Sequence, residues 1–330
     1  MSELGTTVAA VIPCYRVKPY ILGVLGEIGP ECSRIYVVDD CCPDGTGEFV
    51  RTNCTDPRVV VLRNETNLGV GGAVVAGYRA AIADHMEIIV KLDGDGQMAP
   101  ELVVDFIGPI LAGEADYTKG NRFFDLEGLR SMPRARLFGN AALSFVTKLS
   151  SGYWDLFDPT NGYTAIHREV ARRIPLDKLS NGYFFETDLL FRLNTLRAVV
   201  VDVPMDASYG DETSSLKISK IIGEFFLGHC RNFAKRIFYN YYLRDMSLAS
   251  LELPLGLLLI IFGLVFGGYH WIDSVVRGIR TPAGTVMLAA VSLLMGLQFV
   301  LAFIATDISS SPTRVLHLKS RPRTNYQASR

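Results

Sequence analysis

The stretch EIIVKLDGDGQ, residues 87–97, decides the fold. A short apolar run, the pattern of a buried strand, passes at once into a glycine-interrupted loop that carries two carboxylates, Asp93 and Asp95, one residue apart. Close like charges disfavour each other's ionised form unless a cation shares the site. Asp93, Asp95 and Gln97 occupy alternate positions, so three side-chain oxygens can turn towards one point. Mg2+ and Mn2+ are hard cations that take oxygen ligands, and Mg2+ is commonly held by one or two carboxylates plus substrate phosphates. The competing reading is a solvated turn eased by its glycines. An EF-hand is excluded, because no third acidic ligand and no Glu follow at the required offsets.

Working outward, TVAAVIP, RIYVVDD and RVVVLRN read as further buried strands, and GVGGAVVAGYRAAIADH before residue 87 reads as a helix. Strands alternating with helices imply parallel pairing through crossovers, a Rossmann-like sheet. Ligands of such sheets bind beyond the carboxyl ends of the strands, which is where IPCYR, VVDDCCPDGTG and KLDGDGQ fall. ADYTKGNRF and AVVVDVPM read as two more strands, with the helix NAALSFVTKLSS between them.

The chain has 330 residues and a formal net charge of −1, which argues against a general attraction to nucleic acid. Hydrophobic residues make up 49% of it, and the surplus over an ordinary globular share falls after residue 250. LPLGLLLIIFGLVFGGYHWI (253–272) and AGTVMLAAVSLLMGLQFVLAFIAT (283–306) are each near the ~20 residues that cross a bilayer. Basic residues cluster before the first and after the second, with only Arg277 and Arg280 between, so both chain ends are expected on the cytoplasmic side of the membrane. Residues 216–246 carry apolar and basic residues at helical spacing, as an interfacial amphipathic helix does; an ordinary helix packed on the globular part is the alternative. The expected division is an α/β domain over 1–215, juxtamembrane helices over 216–250, a two-helix hairpin over 251–306 and a basic tail over 307–330. The six cysteines show no metal spacing and no secretory signal precedes them, so reduced thiols are expected. No Gly-x-Ser-x-Gly elbow or P-loop is present, and the histidines show no metal or triad spacing.

With these motifs the chain resembles the inverting family-two glycosyltransferases of the GT-A fold, within them the membrane-anchored polyprenyl-phosphate (dolichyl-phosphate type) sugar transferases. VIPCYR is similar to the family's first-strand motif, VVDDCCPDGTG to its nucleotide-binding turn, and DGDGQ to its metal site. The resemblance implies a mixed, mainly parallel sheet and a metal-dependent transfer, with inversion, from a UDP- or GDP-linked sugar to a polyprenyl phosphate. Pro13, Tyr15, Asp93 and Asp39 or Asp40 would hold the nucleotide; an Asx turn or helix cap is the alternative for Asp39 and Asp40. Asp93, Asp95 and Gln97 would hold Mg2+ or Mn2+.

A phosphate acceptor is already ionised near neutrality and needs cations rather than a base. The resemblance gives that role to Arg122 and Arg136, with Asn140 where relatives have a serine, and to Lys217; a solvated or lipid-facing basic surface is the alternative for these residues. Asp188 in FETDLL matches the family's acidic position, and Asp158 in FDPTNGY lies in the pocket region. Were the acceptor a hydroxyl on a lipid or glycan, Asp188 would be the general base. A binding-only membrane partner for nucleotide-sugars is a third reading. Hairpins from separate copies can pack, so a homo-oligomer is also an open expectation.

Overall fold

The computed structural model describes residues 5–124, 134–159, 161–205 and 218–319. Strands β1 (Val8–Cys14), β2 (Cys32–Asp39), β3 (Val59–Arg63) and β4 (Ile88–Lys91) alternate with helices α1 (Ile21–Glu27), α2 (Thr46–Asn53) and α3 (Gly69–Ala83). Then follow α4 (Val103–Leu111), β5 (Tyr117–Asn121), α5 (Arg134–Ser151), β6 (Thr164–His167), α6 (Arg168–Ala171), α7 (Phe185–Leu196) and β7 (Val200–Pro204). The seven strands form one sheet in the order β3-β2-β1-β4-β6-β5-β7. β6 runs against both its neighbours and the other pairs are parallel. A mixed, mainly parallel sheet is thus what the alternation of strands and helices becomes. The four-residue β6 lies within WDLFDPTNGYTAIH, where the sequence pattern marks no strand.

The apolar runs of the central strands are buried on both faces. Ala9, Val11, Val38 and Ile89 face one core with α3 and α7, while Ala10, Ile12, Val37 and Val90 face the other with α1 and α4. Continuous rather than alternating hydrophobicity is what a sheet covered by helices on both sides requires.

By its contacts the chain divides into two compact units, 1–233 with 312–330, and 234–311. α8 (Ile218–Phe238) and a π-helical turn (Tyr239–Arg244) precede α9 (Ala249–Arg277) and α10 (Ala283–Ser309), which are 29 and 27 residues long and apolar enough to cross a membrane. Small residues let α9 and α10 approach closely: a Cβ at Gly256 would lie 2.9 Å from the Gly296 carbonyl, and one at Gly296 would lie 2.8 Å from that of Gly256. Within this unit Arg236, 1% exposed, pairs with Asp307, whose Oδ1 also accepts the Tyr241 hydroxyl at 2.6 Å.

In the first unit the segment after α10 is folded back onto the sheet. α11 (Leu316–Lys319) begins where the buried Asp116 accepts the Leu316 and His317 N–H groups, the Val199 N–H and His317 Nδ1. His317 in turn stacks on His167, ring centroids 4.2 Å apart. Part of the expected basic tail is therefore fixed to the globular unit.

Burial lowers the pKa of both His167 and His229 to about 4. The folded chain keeps both neutral where the unfolded chain takes up protons near 6.5. A depressed histidine pKa means that stability is lost as pH falls from about 6.5 to about 4, by up to ~3 kcal/mol for each residue. Thermal unfolding in detergent should show a midpoint that falls across this window, with a shallower fall in His229→Phe. A midpoint indifferent to pH there would contradict this account.

Candidate active site

β4 and its loop build the floor of the site. Gly96 has φ +79°, a conformation glycine adopts without strain, which allows the chain to turn sharply after Asp95. The Gln97 N–H then closes on Asp95 Oδ1 at 3.0 Å. Lys91, the last residue of β4, is 1% exposed, and its Nζ lies 2.8 Å from Asp93 Oδ1 and 3.7 Å from Glu186 Oε1. Burial pulls the Lys91 pKa down, but Asp93 and Glu186 outweigh it and leave the ammonium more firmly protonated than usual. Burial raises the Glu186 carboxyl, and Lys91 opposes that rise only in part. Gly162 comes so close that a Cβ there would collide with Lys91 Nζ.

A cleft of about 440 Å³ opens above this floor, lined by Pro13, Tyr15, Asp40, Asp93 and Asp95, with Asn67 and Gly69 at the start of α3 and Tyr183 opposite. The two aspartates of the β2 turn are each engaged by neighbouring loops. Asp39 accepts the Cys42 N–H at 2.7 Å and the Gly47 N–H at 2.8 Å, which pins the first turn of α2. Asp40 accepts Asn64 Nδ2 and the Leu68 and Gly69 N–H groups at 2.7–2.9 Å, tying β2 to the start of α3. Both carboxylates thus hold loops, in line with the capping reading; Asp40 also borders the cleft. Gly69, at φ +81° and packed on the Asn181 carbonyl, leaves no room for a side chain at that end.

Arg122 follows β5 and its guanidinium grips the buried Asp158, Nε at 2.7 Å and Nη2 at 3.1 Å. Burial alone would raise the Asp158 carboxyl, but the Arg122 hydrogen bonds and Lys119 hold it below the usual range. Lys119, fully buried, donates to the Asn161 carbonyl at 2.7 Å, and burial pulls its pKa down to about 8 against the pull of Asp158, Glu186 and Asp202. Asn140 is half-buried on α5. Arg136 stands on the same helix with its side chain outside the described residues, and Lys217 lies outside them altogether.

Asp188 is placed away from the floor: its Oδ2 accepts the Ser180 N–H and Arg192 Nε, both at 3.1 Å, and Arg192 also donates to the Lys178 carbonyl. The acid that faces Lys91 and Asp93 is Glu186, two residues earlier on α7. The sequence places both Glu186 and Asp188 of FETDLL at the family's acidic position and prefers Asp188; Lys91 it passes over. The signal for Lys91 was present, since it is the one charged residue inside an otherwise apolar strand; nothing in FETDLL separates its two acids.

Among the described residues no group of three or more His, Cys, Asp or Glu is placed to hold a metal ion by itself. Of the three residues expected to hold a divalent cation, Asp93 and Asp95 line the cleft, with Asp93 shared with Lys91. A donor set this sparse fits a cation whose remaining ligands come from a substrate diphosphate rather than a closed protein cage.

Residues 9–174 match the profile of Glycosyl transferase family 2. Among similar proteins, an undecaprenyl-phosphate mannosyltransferase of Micrococcus luteus is 33% identical over 66% of this chain and 90% of its own length. A polyprenol monophosphomannose synthase of Mycolicibacterium smegmatis is 32% identical over 59% and 75%. A glucosyl-3-phosphoglycerate synthase of Mycobacterium tuberculosis, solved with Mn2+ and UDP-glucose, superposes with a TM-score of 0.54 at 20% identity, covering 69% of this chain and 80% of that one. That likeness supports the same fold. With the family profile covering β1 to β4 and the acidic loop of the cleft, the chain is a glycosyltransferase and belongs to glycosyl transferase family 2.

Proposed function

We propose that this glycosyltransferase moves a sugar from a UDP- or GDP-linked donor to a polyprenyl phosphate at the cytoplasmic face of a membrane, with inversion at the anomeric carbon. The observation that carries the reading is the Asp93–Asp95 loop lining a cleft at the carboxyl ends of β1 and β4. It is supported by relatives named for undecaprenyl-phosphate and polyprenol substrates and by two helices long enough to span a bilayer.

In this reading Pro13 and Tyr15 flank the nucleoside and Gly69 opens the α3 end of the cleft to the diphosphate. Asp93 and Asp95, with Gln97, would hold Mg2+ or Mn2+, which supplies charge neutralisation for the departing diphosphate. Lys91 keeps Asp93 oriented from below. Arg122, fixed by Asp158, meets the acceptor phosphate together with Arg136, Asn140 and Lys217. A phosphate oxygen attacks the anomeric carbon as the bond to the nucleoside diphosphate breaks, and no proton has to be removed from the nucleophile.

A hydroxyl acceptor is the second reading, favoured by one observation: Glu186 is a buried carboxyl of raised pKa on the cleft floor. Glu186, rather than Asp188, would then be the base.

Purified protein in nanodiscs, supplied with undecaprenyl phosphate, UDP- or GDP-sugars and Mn2+, should release nucleoside diphosphate. Asp95→Ala or chelation should lower that rate at least about a hundredfold; an unaffected rate removes the metal assignment. Arg122→Lys should raise the KM for the lipid phosphate about tenfold with a smaller change for the donor, and an unchanged KM would take Arg122 out of the acceptor site. Glu186→Gln separates the acceptors: most of kcat is retained with a phosphate, whereas a loss of about a hundredfold or more favours a hydroxyl. Asp188→Asn should act on stability instead, costing about 1–3 kcal/mol as Arg192 loses its carboxylate charge partner and the Ser180 N–H is left with a neutral amide oxygen; a selective loss of turnover with intact stability would return the base role to Asp188.

A further inference from the structure

Helix α5 is turned inside out. Ser144, Thr147, Ser150 and Ser151 are buried at 2, 3, 1 and 1% exposure, while Phe145 and Val146 are 55 and 38% exposed. Ala141 and Ala142 are exposed as well, and Leu149 is half-buried. At about 3.6 residues per turn the hydroxyl residues share one side of the helix, and these five apolar residues share the opposite side. The inward contacts are polar too: Ser150 Oγ lies 2.8 Å from His229 Nδ1 on α8. A helix bordering water does the reverse, turning its apolar stripe in and its polar residues out.

An outward apolar face is stable where the medium beyond it is apolar. The residues at its margin suit a boundary between lipid and water. Trp154 packs edge-to-face on Phe145, centroids 6.2 Å apart, and Lys148, between the two faces, holds its ammonium 5.7 Å over the Phe157 ring. An indole and a long-stemmed cation beside exposed aliphatic groups are the usual occupants of a membrane interface. The same chain carries two helices able to cross a bilayer, so a lipid surface is at hand.

We propose that α5 rests on a lipid surface through Ala141, Ala142, Phe145, Val146 and Leu149, a membrane contact separate from the two apolar helices. The inference rests on reading those helices as membrane-spanning. Anchored at this face, the helix that carries Arg136 and Asn140 meets lipid along its own length.

The chain has two tryptophans, Trp154 beside this face and Trp271, 70% exposed on α9, and each can be read alone. The full chain is reconstituted in nanodiscs containing phospholipid brominated high on its acyl chains, as Trp271→Phe, which leaves Trp154, and as Trp154→Phe, which leaves Trp271. The expected result is loss of the larger part of the emission from both, with little quenching of Trp154 by aqueous iodide. Trp271 quenched by lipid while iodide alone reaches Trp154 means that α5 faces water, and overturns the proposal with the spanning helices intact. Trp154 reached by neither quencher means that protein, such as a second copy, covers the face, and this overturns it too. Trp271 untouched by brominated lipid removes the membrane reading itself, and the proposal with it.

Discussion

The Lys91 ammonium, 1% exposed at the end of the central strand β4, lies 2.8 Å from Asp93 and 3.7 Å from Glu186, and the shape of the cleft depends on that arrangement. Two carboxylates one residue apart, with a third on α7 behind them, repel one another. A cation built into the floor offsets part of that repulsion before any ligand arrives and fixes the Asp93 side chain. Each partner needs the others, since a buried charge left unpaired costs about 3–5 kcal/mol. Gly162 is held against Lys91 by the same geometry, so the β6 approach, the acidic loop and α7 are set together.

A second layer of charges continues from this floor. Lys119 lies between Asp158, Glu186 and Asp202, and Arg122 closes over Asp158 at the outer edge. Buried opposite charges alternate from the donor loop to the guanidinium beyond β5. A change at one end alters the electrostatics at the other, since the effective dielectric between them is low.

The sheet was legible because its central strands β1, β2 and β4 are largely buried, so their sequences are short, dense apolar runs cut off by polar turns; the rim motifs and the two apolar helices were legible for the same reason of composition. What escaped is what depends on distant partners. β6 has four residues and its place comes from pairing with β4 and β5, far off in sequence. Asp40 accepts backbone N–H groups from 28 and 29 residues away, a pairing that no local pattern shows. Glu186 and Asp188 stand two apart on one helix, and only the packing of α7 decides which meets Lys91. The helix over NAALSFVTKLSS could be read, but not that its serines point inward, because that depends on what lies on each side of it.

The account centres on a nucleoside diphosphate held in the cleft above Asp93 and Asp95. The most direct test is a structure of the protein with UDP or GDP and Mn2+, with the metal located by its anomalous signal. The account predicts Mn2+ bound by Asp93 or Asp95 and diphosphate oxygens, with the nucleoside against Pro13 and Tyr15 and Lys91 still paired beneath. A nucleotide bound elsewhere, or a metal without contact to this loop, would contradict it.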